Sequence, residues 1–139
     1  MYVIDASVAS RFLLVEDLSD RAEFLLSSFL DGSVDMQAPD LINSEVGNTL
    51  RKAVKRKLIR LNEASEKLSY FHKLKIASID LTERDYLEAL AWSVKNNATY
   101  YDSLYVKSSE KTGLTLLTAD ETLCDKASET VRTLHLRDL

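Results

Sequence analysis

The chain has 139 residues, 45% hydrophobic and 29% charged, with 3 Gly, 1 Pro, 1 Cys and a net charge of −4. That length and apolar fraction suit a single domain with a buried core and exclude a disordered chain. No apolar run nears the ~20 residues of a membrane span, MYVID does not begin a secretory leader, and the lone Cys124 excludes an internal disulfide and fits a reducing cytoplasm.

Tyr2-Val3-Ile4 reads as a short strand stopped by Asp5, with Ser7 as the expected cap of the segment that follows. Asp20 to Leu30 is an amphipathic helix with Ala22, Leu25, Leu26, Phe29 and Leu30 on its apolar side, ended by Gly32. Val34 to Ala38 is a second strand. Pro39 and Asp40 open a long helix predicted to reach Leu58, with Val46, Leu50, Ala53 and Val54 inward. Glu63 to Lys75 is helical, and Ala77 to Leu81 is a third strand. Thr82 and Asp85 have capping-box spacing before a helix that runs to Asn96 and stops at Asn97. Tyr101 to Lys111 is helical and closed by Gly113. Leu114 to Leu117 is apolar throughout, as a buried parallel strand is. A short helix over 119–128 and a strand over 131–136 complete the chain.

Strands and helices alternate throughout. This predicts an α/β fold, a three-layer α/β/α sandwich around a mainly parallel sheet of four to five strands, as one domain over 1–139. Phe29, Phe71, Tyr86 and Trp92 stand at core spacing, and Cys124 reads as a small buried hydrophobe.

The net charge argues against a nucleic-acid partner, but the charge is uneven. Residues 51–60, RKAVKRKLIR, hold six basic residues and no acid, leaving 12 basic against 22 acidic residues elsewhere, a net of −10. A helix beginning near residue 40 puts Glu45, Asn48, Thr49, Lys52 and Arg56 on one polar face. The run reads either as a solvated helix tail or as a surface for an anionic ligand or acidic partner.

Open α/β sheets place sites beyond the carboxyl ends of their strands. Asp5 follows the first strand and Asp120 the fourth; Glu45 opens the long helix, and Asp102 opens the helix before the fourth strand. Carboxylates gathered in one pocket repel unless a cation joins them. An all-oxygen donor set suits Mg²⁺ or Mn²⁺ rather than zinc, and such ions promote phosphodiester hydrolysis. Each acid also has a plain structural reading. Asp5 and Asp102 stand where helix caps stand, Asp120 competes with Thr118 to cap its helix, and Glu45 reads alone as an exposed helix residue. His72 and His135 lack ligand spacing. Tyr101 and Tyr105 flank Asp102, where they either stack on bases or pack.

Four segments in order carry a family resemblance: VIDASV (3–8), APDLINSEVGNTLRKAV (38–54), YYDSLYV (100–106) and LLTADETL (116–123). Together they resemble the PIN-domain family, and within it the toxin ribonucleases of VapC-type toxin–antitoxin pairs. The resemblance implies Asp5, Glu45, Asp102 and Asp120 as catalytic, metal-holding acids, with Ser7, Asn48 and Thr118 in support. It implies a Mg²⁺- or Mn²⁺-dependent endoribonuclease that hydrolyses RNA with a metal-activated water. It also implies a homodimer, inhibited by a small antitoxin that occupies the site. Arg51, Lys52, Lys55 and Arg56 would meet RNA. Glu121 and Asp125 are extra acids beside the last segment, and Arg11-Phe12 departs from the family pattern, fitting only loosely the basic or aromatic pair that many members carry early in the first helix.

The alternative is a non-catalytic RNA- or protein-binding module that uses the basic face of helix 40–58, with the acids as caps. A phosphatase- or receiver-like domain with a nucleophilic Asp5 fits less well, because Ser7 stands where a second acid is required.

Overall fold

The computed structural model describes residues 1–139. Five strands, β1 (Tyr2–Ile4), β2 (Met36–Pro39), β3 (Ala77–Ile79), β4 (Thr115–Thr118) and β5 (Thr133–His135), form one sheet. Their order is β3-β2-β1-β4-β5, and every neighbouring pair is parallel. The helices are α1 (Ala6–Ser10), α2 (Ser19–Leu30), α3 (Leu41–Lys55), α4 (Leu61–Lys73), α5 (Glu83–Asn96), α6 (Tyr100–Thr112) and α7 (Glu121–Ala127), before a terminal 3-10 turn over Leu136–Asp138. The chain steps from β1 outward to β3, then crosses back to β4 and β5. Right-handed crossovers therefore put α1–α4 over one face and α5–α7 over the other, the three layers expected from the alternation. No helix is long and apolar enough to cross a membrane.

Val3, Ile4, Leu116 and Leu117 are fully buried in the two central strands. Covered on both faces, these strands need no polar alternation, and their sequences show none. Truncating Ile4 or Leu117 to Ala would cost about 2–5 kcal/mol. α6 is the helix that seals the sheet, touching β1, β2 and β4. Leu104, Tyr105 and Val106 fill its inward side, while Ser103, Ser108 and Ser109 are buried beside them.

Several local readings change. The helix predicted over 40–58 ends at Lys55. Lys57 turns left-handed (φ 60°), the Leu58 N–H reaches Ala53 O at 3.0 Å, and the Lys57 N–H reaches Val54 O at 3.0 Å. This closure is one glycine usually makes, so a lysine in that place hides it. Asp5, not Ser7, caps α1. Leu30 and Tyr86, expected inside, are exposed. In α5 the buried residues are Asp85, Ala89 and Ser93, spaced by four, and Tyr86 lies at the edge of that stripe, about 100° round the helix from Asp85. Cys124 is half-buried. The Thr82–Asp85 box forms as read, and Asn97 (φ 50°) and Gly113 (φ 71°) end their helices left-handed as expected.

Candidate active site

The chain leaves the central strand β1 toward β2 on one side, and its later half adds β4 on the other. The carboxyl ends of β1 and β4 flank this reversal, where open α/β sheets form their crevice. Ile4 pairs with Leu117, so the next residues, Asp5 and Thr118, stand side by side. Asp5 is buried, at 4% exposure. Its Oδ1 accepts from the Ser7 hydroxyl at 2.6 Å and from the Val8 N–H at 3.2 Å, and its Oδ2 accepts from the Thr118 hydroxyl at 2.5 Å. Ser7 Oγ in turn accepts the Ala119 N–H at 2.9 Å. Ser7 and Thr118 therefore bind Asp5 to the chain turn that delivers Asp120.

Asp120 caps α7, its Oδ1 accepting the Leu123 N–H at 3.1 Å. Thr118, the competing cap, is turned to Asp5 instead. Asp102 is not a cap either. Thr99 caps α6 by accepting the Asp102 N–H at 3.0 Å, which puts Asp102 in the first turn with its carboxylate free of the capping role. Glu45 is half-buried rather than exposed. Its Oε1 accepts the Tyr105 hydroxyl at 2.7 Å across the gap between α3 and α6. Tyr105 is buried, so it packs and does not stack on a ligand.

The charges of these acids are felt by one another. Burial pushes the Asp5 carboxyl up to about 6, against 3.8 for a free side chain, and the Asp102 charge adds to it. Burial raises Glu45 as well, again with Asp102 adding, while the Tyr105 bond pulls it down. Burial and then the Asp120 charge raise Asp102, against the Thr99 hydroxyl and Lys126. Asp102 thus lies within electrostatic reach of the other three acids. No three of them stand close enough to ligate one ion as placed here. Asp5, Glu45 and Asp120 lean instead on hydroxyl and N–H donors of the chain. The donor set fits a hard divalent cation: oxygen only and multiply anionic, with Asp5, Glu45 and Asp102 raised first by burial and further by a neighbouring acid, and with no thiol or imidazole among them.

The neighbouring residues sort themselves. A cleft of about 370 Å³ runs along α3 from Glu45 past Asn48 and Thr49 to Lys52, with the exposed Tyr101 on its wall. Asn48 makes no side-chain hydrogen bond to the acids. Lys52 also borders a second cleft, together with Arg56. Arg51 and Lys55 turn the other way, to a groove between α3 and α4. None of the six basic residues in 51–60 has an ion-pair partner. Glu121 pairs with Arg137 at 2.9 Å, and Asp125 is exposed. Arg11 braces the α1 end, donating to Ser7 O at 2.6 Å and to Asp17. His135 is buried against Ala119 O and the Arg137 N–H. Sequence reasoning overlooked Lys126, whose ammonium holds Asn97 O at 2.6 Å beside Asp102. Nor did the sequence show that Tyr105, read as packing or stacking, would bond Glu45.

A PIN domain family model matches residues 2–129. Among curated proteins, the chain is 35% identical over 128 residues to Ribonuclease VapC3 of Pyrobaculum aerophilum, covering 89% of this chain and 92% of that one. It is 30% identical over 122 residues to Ribonuclease VapC1 of Mycobacterium tuberculosis, covering 86% and 90%. Among solved structures, PAE2754 from Pyrobaculum aerophilum superposes with a TM-score of 0.70 at 22% identity, over 98% of this chain and 89% of that one. FitAcB from Neisseria gonorrhoeae superposes with a TM-score of 0.64 at 15% identity, over the whole of both chains. The two structures share the fold of this chain, and the family match and the ribonuclease relatives span nearly all of the sequence: the chain belongs to the PIN domain family.

Proposed function

We propose that this protein is a divalent-metal-dependent endoribonuclease, the toxin of a VapBC-type pair, with Asp5, Glu45, Asp102 and Asp120 as its metal-holding acids. The observation that carries this reading is Asp5: a buried carboxylate at the sheet's reversal point, crowded by another acid and lacking any cationic partner. A bound Mg²⁺ or Mn²⁺ would balance that charge, activate a water and stabilise the leaving oxygen.

The chain's own residues do the rest. Ser7 and Thr118 fix both oxygens of Asp5. Lys52 and Arg56, unpaired along the clefts that lead from Glu45, bind the phosphates of single-stranded RNA. Tyr101 offers an exposed face to a base. A small antitoxin and a second copy of the chain are the proposed protein partners, in a cytoplasmic setting. The names of the relatives support the antitoxin. The exposed stripe Leu87, Leu90 and Val94 on α5 supports self-association, which Leu90→Glu should abolish in sedimentation equilibrium.

The test is RNA cleavage by purified wild type and Asp5→Asn, with and without Mn²⁺. Cleavage should need the ion and vanish in the variant while its circular dichroism stays unchanged. Full cleavage by Asp5→Asn removes the reading. RNA binding with no metal requirement and no cleavage, lost only with the α3 cations, would instead support the non-catalytic module.

A further inference from the structure

We infer that Tyr105 is a positioning residue for metal binding: its buried hydroxyl holds the Glu45 carboxylate in the orientation that meets the ion. This rests on reading Asp5, Glu45, Asp102 and Asp120 as the metal-holding acids.

Glu45 stands in α3 and Tyr105 in α6, 60 residues apart in sequence. The Tyr105 side chain is 1% exposed and belongs to the main core, so packing leaves its ring no alternative placement. Its hydroxyl has one proton, and that proton goes to Glu45 Oε1 at 2.7 Å. Oε2 makes no hydrogen bond, and Glu45 lines the 370 Å³ cleft. One oxygen of the carboxylate is therefore clamped by the core, and the other is left without a partner in a residue that lines the cleft. This arrangement suits a carboxylate that supplies one oxygen to a metal, and hydrogen bonds of this kind orient ligands and raise their affinity.

The phenol is not an acid–base group. Burial first, then the charge and hydrogen bond of Glu45 and the charge of Asp5, push its pKa far above the ordinary tyrosine range. It stays a donor at every working pH. Without it, the half-buried Glu45 would be free to swing, and the ion would have to fix that rotamer on binding.

The experiment is Mn²⁺ titration by calorimetry of the full chain, comparing wild type, Tyr105→Phe, Glu45→Gln and the double variant, with melting curves alongside. Tyr105→Phe should weaken Mn²⁺ binding about 10–100-fold. RNA cleavage in the same variant should recover toward the wild-type kcat at saturating Mn²⁺. In the Glu45→Gln background, Tyr105→Phe should change Mn²⁺ affinity no further, which separates positioning from a general loss of packing. Wild-type Mn²⁺ affinity in a folded Tyr105→Phe overturns the inference and leaves the four-acid reading standing. An equal loss on adding Tyr105→Phe to Glu45→Gln also overturns it, because the effect then does not pass through Glu45. Absence of Mn²⁺ binding by the wild type removes the four-acid reading, and this inference with it.

Discussion

Thr118 joins the two acid-bearing strand ends: its hydroxyl donates to Asp5 Oδ2 at 2.5 Å while accepting the Asp120 N–H at 3.0 Å. One buried oxygen thereby sets the distance between two carboxyl-bearing turns. Thr118→Val keeps the shape but removes both bonds, leaving Asp5 Oδ2 and the Asp120 N–H short of a partner. An unsatisfied buried group costs about 1–3 kcal/mol, so urea unfolding of Thr118→Val should show a loss in that range or above it. Thr118→Ser keeps the oxygen and should recover most of the loss. A valine variant as stable as wild type would contradict the assigned bonds.

The Asp5 shift has a pH consequence for the metal-free protein. Its folded pKa of about 6 lies above the unfolded 3.8, so between those values the folded state holds the extra proton. Stability from this group is fully present below about pH 4 and falls as pH rises through 6. The gap corresponds to something of order 3 kcal/mol. Asp5→Asn carries no such charge, and its amide can donate to Thr118, whose proton can turn to Ser7 Oγ 3.3 Å away. In EDTA at pH 7.5 the variant should therefore melt above wild type, and the two should converge toward pH 4. Saturating Mn²⁺ should raise the wild-type midpoint and leave the variant's unchanged. A variant that melts below wild type at pH 7.5 in EDTA would show that burial does not penalise this charge.

The structure divides the basic run, and the division can be measured. Lys52 and Arg56 face the clefts that lead from Glu45, whereas Arg51 and Lys55 face α4. The salt dependence of kcat/KM on single-stranded RNA should lose about 1.4 from its log–log slope in Lys52→Ala/Arg56→Ala, since each phosphate contact contributes about 0.7. Arg51→Ala/Lys55→Ala should shift the slope far less. Neither pair should lower the melting temperature by more than a degree or two, because none of these residues is ion-paired. Equal slopes in the two pairs would mean that RNA does not follow this path.

These residues also show what the sequence makes legible. Strand ends, the Thr82–Asp85 box and the Gly113 stop depend on neighbours within a few positions, so they appear in the linear pattern. The parallel order follows from alternation, and it brings Asp5 and Asp120 to one end of the sheet. The Thr99 cap was readable too: Thr99-x-x-Asp102 has capping-box spacing, but the acid drew the reading away from the hydroxyl. Lys57 was not readable, because a lysine in the left-handed region gives no glycine signal. Nor was the Tyr105–Glu45 bond. It joins two helices on opposite faces of the sheet's end, and only packing decides which of many tyrosines meets which of many acids.

Asp85 gives the opposite pH slope and so separates core electrostatics from the site. Lys111 donates to its Oδ2 at 2.7 Å and the Thr82 N–H at 2.8 Å, and these bonds hold the carboxyl down at about 2. Because the folded pKa lies below the unfolded 3.8, the unfolded state takes up the proton first as pH falls. The stability from this pair is fully present above about pH 4 and is lost as pH drops through 2. The pair also ties the start of α5 to the end of α6, the helix that carries Asp102 and Tyr105. Urea midpoints of wild type and Asp85→Asn should therefore differ most near neutrality and draw together between pH 4 and 2. A double variant with Asp5→Asn should have lost both slopes, since the two windows barely overlap and the sites share no partner. A difference between wild type and Asp85→Asn that stays constant from pH 7 to 2 would mean that Asp85 contributes through its hydrogen bonds alone and not through its charge.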